Sequence, residues 1–241
     1  MKRRVRLLGL PLDLVDMETA VAWVADRLDG EPAQIVTLNP EMVVRSRRDP
    51  RLARAVAEAE LVTPDGVGIL WAVRRMCGLE PAERVTGVDL TQELFTRLGG
   101  ELRVFFLGGR PGVAEQAAAR SQRRYGVAVA GFHHGYFDDE AEVVELVRAS
   151  GANLLLAGLG ERQEVFLHRH RQRLATPVMI GVGGTLDVLA GVKKRAPGWS
   201  RRLRLEWLLR VGGDPRRWPR AGRLLRFALL VLAERQSGCQ K

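Results

Sequence analysis

The chain has 241 residues, 46% of them apolar, enough for one large α/β domain or two small ones with a real core. Its two cysteines, Cys77 and Cys239, are too few for a disulfide framework and suggest no metal site, so both are expected as free thiols. The formal net charge of +10 is lodged at one end: residues 193–241 hold 14 basic against 3 acidic side chains, and the first 192 hold 24 against 25.

The opening MKRRVRLLGLPLDLVD meets Pro11 and Asp13 too soon for a secretory leader, so a cytoplasmic protein is expected. METAVAWVADRLD then has a helical period. QIVTLNP is the first of six short apolar runs that end in a polar or glycine-rich turn. It leaves Thr37 and Asn39 at a strand end, spaced to project to the same side, and Asn39 is equally placed to cap a helix at Pro40. ELVTPDG ends on Asp65, held between Pro64 and Gly66, either as the cap of VGILWAVRRM or as a general base on the rim. In PAERVTGVDL, Arg84 stands ahead of a turn and a helix, as a phosphate clamp or a surface arginine.

RVFFLGG delivers Gly108 and Gly109, followed by the helical PGVAEQAAARSQRRYG. GVAVAGFHHG ends on His133 and His134, rim residues suited to acid or base work. In YFDDEAE the acids Asp138, Asp139 and Glu140 read as a helix cap with first-turn acids, better than as a metal-binding pair. NLLLAGLG leads into ERQEVFL, with Gln163 in the first turn of a helix. His168 and His170, two apart on that helix, do not share a face, which argues against zinc. PVMIGVGG ends on Gly183 and Gly184.

Buried strands alternating with helices predict an α/β fold, Rossmann-like, with a mainly parallel sheet and helices on both faces. All six turns should then line the rim beyond the carboxyl ends of the strands, where such sheets bind ligands. Neither glycine cluster has the spacing of a dinucleotide fingerprint, so no nicotinamide cofactor is expected. Glycines that open helices suit a phosphate, or are plain tight turns.

After Lys193 the texture changes to an arginine-rich tail with Trp199, Trp207 and Trp218, broken into helical pieces at roughly 200–211 and 216–235. Its most apolar piece, LLRFALLVLA, is far below the ~20 residues of a membrane span. Lying in the interface suits it better, with Trp and Leu inserted and Arg over anionic head groups. The domains expected are a catalytic core over 1–192 and a basic helical appendage over 193–241.

Taken together and in order, TLNPEMV, VTPDGVGI, RVTGVDL, FLGGRPGVAE, GLGERQE, GVGGTLDVLAG and KRAPGW…LEWLLR…DPRRWPR resemble the WecG/TagA/CpsF family of bacterial glycosyltransferases over nearly the whole chain. The resemblance implies inverting transfer from a UDP-sugar to a polyprenyl-diphosphate-linked sugar at the inner membrane face. Its best-known members move N-acetylmannosamine or its uronic acid onto N-acetylglucosamine in teichoic acid or surface polysaccharide assembly. Carried over by motif, Asp65 would be the catalytic base. Thr37 and Asn39 would line the donor pocket, and Arg84 and Gln163 would contact the diphosphate or the sugar. Gly108, Gly109, Gly183 and Gly184 would supply backbone N–H groups, and Arg210, Arg217 and Arg220 would meet the acceptor diphosphate.

No metal or other cofactor is expected, since the family looks metal-independent and no Asp-x-Asp pair stands on a strand end. This chain has Glu161-Arg162 where the family commonly has Pro-Lys, and Leu209 where it has Tyr. The partners expected are therefore a UDP-sugar donor, the lipid-linked acceptor and an anionic membrane surface, with a homo-oligomer left open and no nucleic acid. A rival reading makes the tail a nucleic-acid tracker, against which the neutral body and its polar strand ends argue. A second rival is an inactive scaffold of the same fold.

Overall fold

The structure, a computed structural model, describes residues 3–81, 83–193, 218–234 and 239–240. Six strands form one sheet: β3 (Ala33–Leu38), β4 (Leu61–Pro64), β5 (Arg103–Gly108), β6 (Ala128–His133), β7 (Leu154–Gly158) and β8 (Val178–Gly181). They lie in the order β4-β3-β8-β7-β5-β6 with every pairing parallel. These are the six apolar runs of the sequence, and their terminal turns leave the sheet along one edge.

The helices between them start where side chains can satisfy the free N–H groups of a first turn. Asp16 caps α1 (Met17–Ala25), Asn39 caps α2 (Pro40–Ser46) and Asp49 caps α3 (Pro50–Ala57). Thr86 and Asp89 bond reciprocally at the start of α5 (Gly87–Leu98), and Asp139 caps α7 (Glu140–Ala149) through the N–H groups of Ala141 and Glu142. The chain is completed by α4 (Val67–Ala72), α6 (Val113–Tyr125), α8 (Gln163–Leu174), α9 (Thr185–Leu189) and α10 (Trp218–Ala233).

Strand residues alternate between two buried layers, as period-two side chains must. Ile35, Val104, Phe106, Leu156 and Ile180 face a core shared with α1, α5, α6 and α9. On the other face Phe105, Leu107, Leu155 and Met179 meet α7 and α8, while Val36, Leu38 and Val62 meet α2, α3, α4 and α10.

The N-terminal segment, which the sequence reading passed over, is a hairpin of β1 (Arg3–Leu7) and β2 (Leu10–Leu14). Leu8 and Gly9 both take positive φ, 52° and 85°, the geometry of a tight two-residue hairpin turn. The hairpin covers the open edge of β4: buried Asp13 accepts from Arg4 at 2.7 and 2.8 Å and from the Val62 N–H at 2.8 Å. A third strand, β9 (Cys239–Gln240), pairs antiparallel with β1. The expectation of free thiols is corrected here. Cys77, at the end of a π-helical turn (Val73–Cys77), is disulfide-bonded.

Of the two tail helices expected, the first lies outside the described residues and the second is α10. Phe227 and Val231, 2% and 1% exposed, seat it on the core beside α2.

Candidate active site

Four stretches meet at the rim above β4, β3 and β8: the turns that follow these strands and the segment 84–87. Pro64 pairs with Leu38, and the Asp65 N–H donates to Leu38 O at 2.9 Å, so Asp65 and Asn39 leave adjacent strands side by side, both half-buried. Helix α4 has Gly66 as its N-cap, at φ +94° and without a side-chain cap, so Asp65 is not that cap. Asn39 does cap: its Oδ1 accepts from the Met42 N–H at 2.9 Å.

Arg84 is brought to the same place by its neighbour. The Val85 N–H donates to Pro64 O at 2.8 Å and Val85 O accepts from Thr63 Oγ1 at 3.0 Å, laying this segment along the end of β4. The chain then enters α5 at Gly87, which stands at ordinary packing distance from its neighbours. A Cβ there would lie 3.6 Å from Thr37 Oγ1, 3.5 Å from Val182 Cα and 3.8 Å from Thr185 Oγ1. Thr37 is buried, with its hydroxyl oxygen at this junction.

Further along the rim the glycines touch. A Cβ on Gly108 would sit 2.4 Å from Gly158 O, and one on Gly158 would sit 2.8 Å from Gly183 O, so only backbone fits between these strand ends. The expectation that they offer N–H groups needs correction for two of them. The Gly109 N–H donates to Gly158 O at 3.2 Å, and the Gly183 N–H to Gln163 Oε1 at 3.0 Å. Gly184 is exposed, and its N–H has no partner among the described residues. Gln163 is buried, with its amide nitrogen donating to Glu164 Oε1 at 2.7 Å.

Helix α10 lies against this rim. A Cβ on Gly68 would meet Pro40 Cγ at 2.8 Å and Phe227 Cε1 at 3.6 Å, so Phe227 rests on the first turns of α2 and α4, which follow Asn39 and Asp65. Arg223 donates to Glu161 and Glu41, and Glu161 also pairs with Arg45. The acidic residue in place of the family's Pro therefore turns its charge to the helix. Arg162 stacks over Phe137, 4.6 Å from the ring centroid, and donates to Gly135 O, tying down the loop after β6. Arg220 stands in the first turn of α10, and Arg210 and Arg217 lie outside the described residues.

His133 ends β6 with its Nδ1 at His134 O, while His168 and His170 pair separately with Glu58 and Glu140. Among the described residues no three His, Cys, Asp or Glu side chains are grouped to hold a metal. Sequence reasoning missed Glu164, which reads as an ordinary first-turn acid, and Phe227, one apolar residue in an apolar run. It also missed Gly158, whose role is a close approach that no local pattern announces.

The chain matches the model of the "Glycosyl transferase WecG/TagA/CpsF family" over residues 5–240. It is 32% identical over 211 residues to a protein of Bacillus spizizenii, across 86% of this chain and 82% of that one. That protein is named N-acetylglucosaminyldiphosphoundecaprenol N-acetyl-beta-D-mannosaminyltransferase.

Proposed function

The chain belongs to the glycosyl transferase WecG/TagA/CpsF family and is a glycosyltransferase, and on that premise we propose that it moves N-acetylmannosamine from its UDP-sugar, with inversion, to polyprenyl-diphosphate-linked N-acetylglucosamine. The observation that carries this reading is the pairing of strand ends that sets Asp65 beside Asn39, with the Arg84 segment bonded to Pro64. A half-buried carboxylate at the end of β4, beside Asn39, suits a general base.

In the proposed step the acceptor hydroxyl oxygen bonds to the anomeric carbon from the face opposite UDP, and its proton passes to the Asp65 carboxylate. The bond from the anomeric carbon to the diphosphate oxygen breaks, and UDP leaves with the electron pair. Thr37 and Asn39 border the donor, and Arg84 offsets the growing diphosphate charge. A metal has no part in this scheme, and Asp139, one of the acids nearest to a metal-binding pattern, serves as a helix cap instead. Arg210, Arg217 and Arg220 of the tail would hold the acceptor diphosphate.

The protein would work at the inner face of the membrane, attached without crossing it. Among the described residues no helix is long and apolar enough to span a bilayer. Instead α10 turns Leu225, Leu229 and Leu232 outward, 64%, 58% and 56% exposed, spaced as one stripe opposite the buried Phe227 and Val231. A stripe of this kind, with the exposed Arg226 at its edge, fits an anionic lipid interface.

The test is to incubate the full chain with UDP-N-acetylmannosamine and a short-chain polyprenyl-diphosphate N-acetylglucosamine. UDP release that depends on acceptor, with a disaccharide-lipid product, is expected. No product with this donor or any other UDP-sugar would overturn the reading.

A further inference from the structure

A buried polar chain runs beneath the turn that follows β8. Gln163 and Glu164 are 6% and 1% exposed. Glu164 Oε1 accepts from Gln163 Nε2 at 2.7 Å, and Gln163 Oε1 accepts from the Gly183 N–H at 3.0 Å. The backbone carbonyl of Glu164 accepts from Gln34 Nε2 at 3.1 Å, which fixes this end of α8 to β3. Gly181 keeps the space open, because a Cβ there would lie 2.9 Å from both Gln163 Nε2 and Glu164 Oε1.

A carboxylate so far from water is costly and must have its hydrogen bonds made inside the protein. Burial pushes the Glu164 carboxyl up to about 7, against the pull of the Gln163 bond and of the Arg45 charge facing it. The bond it makes decides an orientation. A Gln side chain ends in one acceptor and one donor of nearly equal size, and only the acceptor can meet the Gly183 N–H. Glu164 settles the matter, since it takes the amide nitrogen whether the carboxyl is ionised or neutral.

We propose that Glu164 is a positioning residue for the sugar donor: through the Gln163 amide it holds the Val182–Thr185 turn against Thr37 and Gly87. The inference rests on the preceding reading, in which Thr37, beside which this turn lies, borders the UDP-sugar. It gives Gln163 a role within the protein, and it accounts for the conformation of Gly183, at φ +53° with its N–H turned inward.

The experiment compares the full-length wild type with Glu164→Leu and Glu164→Gln by steady-state kinetics and by hydrogen exchange at the Gly183 amide. Glu164→Leu removes the acceptor, so the KM for UDP-N-acetylmannosamine is expected to rise about tenfold while the acceptor KM stays within about twofold. Exchange at Gly183 is expected to speed up with it. Glu164→Gln restores an acceptor oxygen and is expected to bring both readouts back toward wild type.

Should the leucine variant fail to fold, Glu164→Met, flexible and close to glutamate in volume but without the carboxylate oxygens, takes its place, and the same rise in donor KM with faster exchange at Gly183 is expected from it. A folded Glu164→Leu with unchanged donor KM and a protected Gly183 amide would overturn the proposal, as would a Glu164→Gln no better than Glu164→Leu. Inactivity of the wild type with every UDP-sugar would sink the donor reading instead, and exchange at Gly183 would still decide the tether.

Discussion

Arg223 Nη1 lies 2.7 Å from Glu161 Oε1, joining the C-terminal helix to the turn between β7 and α8. Glu161 is 62% exposed and Arg223 half-buried at 32%, open enough to water that the bond itself stabilises by less than about 1 kcal/mol. Phe227, four residues on and buried, carries the docking. Glu161→Ala is expected to cost under about 1 kcal/mol in urea unfolding, and Phe227→Ala about 3 to 5 kcal/mol. Equal costs would mean that the helix is held by charge and not by its apolar face.

Asp65→Asn keeps shape and removes the basic carboxylate. The expected result is a fall in kcat of at least about a hundredfold with donor KM little changed. Because Gly66 and not Asp65 caps α4, the melting temperature should hardly move. Near wild-type turnover would remove Asp65 as the base.

The raised pKa of Glu164, about 7, predicts a pH dependence of stability with a definite sign. Between the ordinary carboxyl value and 7 the folded state binds more protons than the unfolded chain, so stability falls as pH rises through that window and then levels off. The loss is at most roughly 3 kcal/mol by linkage. Glu164→Gln should flatten the curve, so the variant gains on the wild type between pH 5 and pH 8 in unfolding experiments. A wild-type curve already flat over that range would place the carboxyl elsewhere.

Leu225, Leu229 and Leu232 point away from the core. Changing all three to Gln should leave folding stability nearly unchanged, since exposed positions rarely move it by more than about 0.5 kcal/mol each. Flotation with anionic liposomes should drop at least about tenfold. Full liposome binding by the triple variant would clear the stripe of any membrane role. A salt-dependent shift of RNA by the wild type, without liposome binding, would revive the nucleic-acid reading of the tail.

The strands and most helices were legible because their signals are local. QIVTLNP and PVMIGVGG are buried on both faces of a parallel sheet and so read as unbroken apolar runs, and the caps at Asn39 and Asp139 lie within three residues of the N–H groups they satisfy. The hairpin was missed because Arg4, Arg6 and Asp13 look like solvent-facing charges. Asp13 becomes a core residue only when it meets Arg4 across the turn and Val62 from β4. The disulfide at Cys77 was missed for a similar reason, since two cysteines far apart in a chain say nothing of their distance in space.

The sequence by itself determined the α/β class, the rim on which Asp65, Asn39, Arg84 and the paired glycines stand, and the basic, leucine-rich tail. Each of these is written in residue type and spacing over a few turns. Only the tertiary structure decided which side chains spend their hydrogen bonds inside the protein. It took Asp65 off the helix cap, closed the Gly183 N–H with Gln163, buried Glu164 behind them and turned Glu161 toward Arg223. Those partners are brought together by strand order and helix packing, and a hydrogen bond acts over about 3 Å in space whatever the separation along the chain.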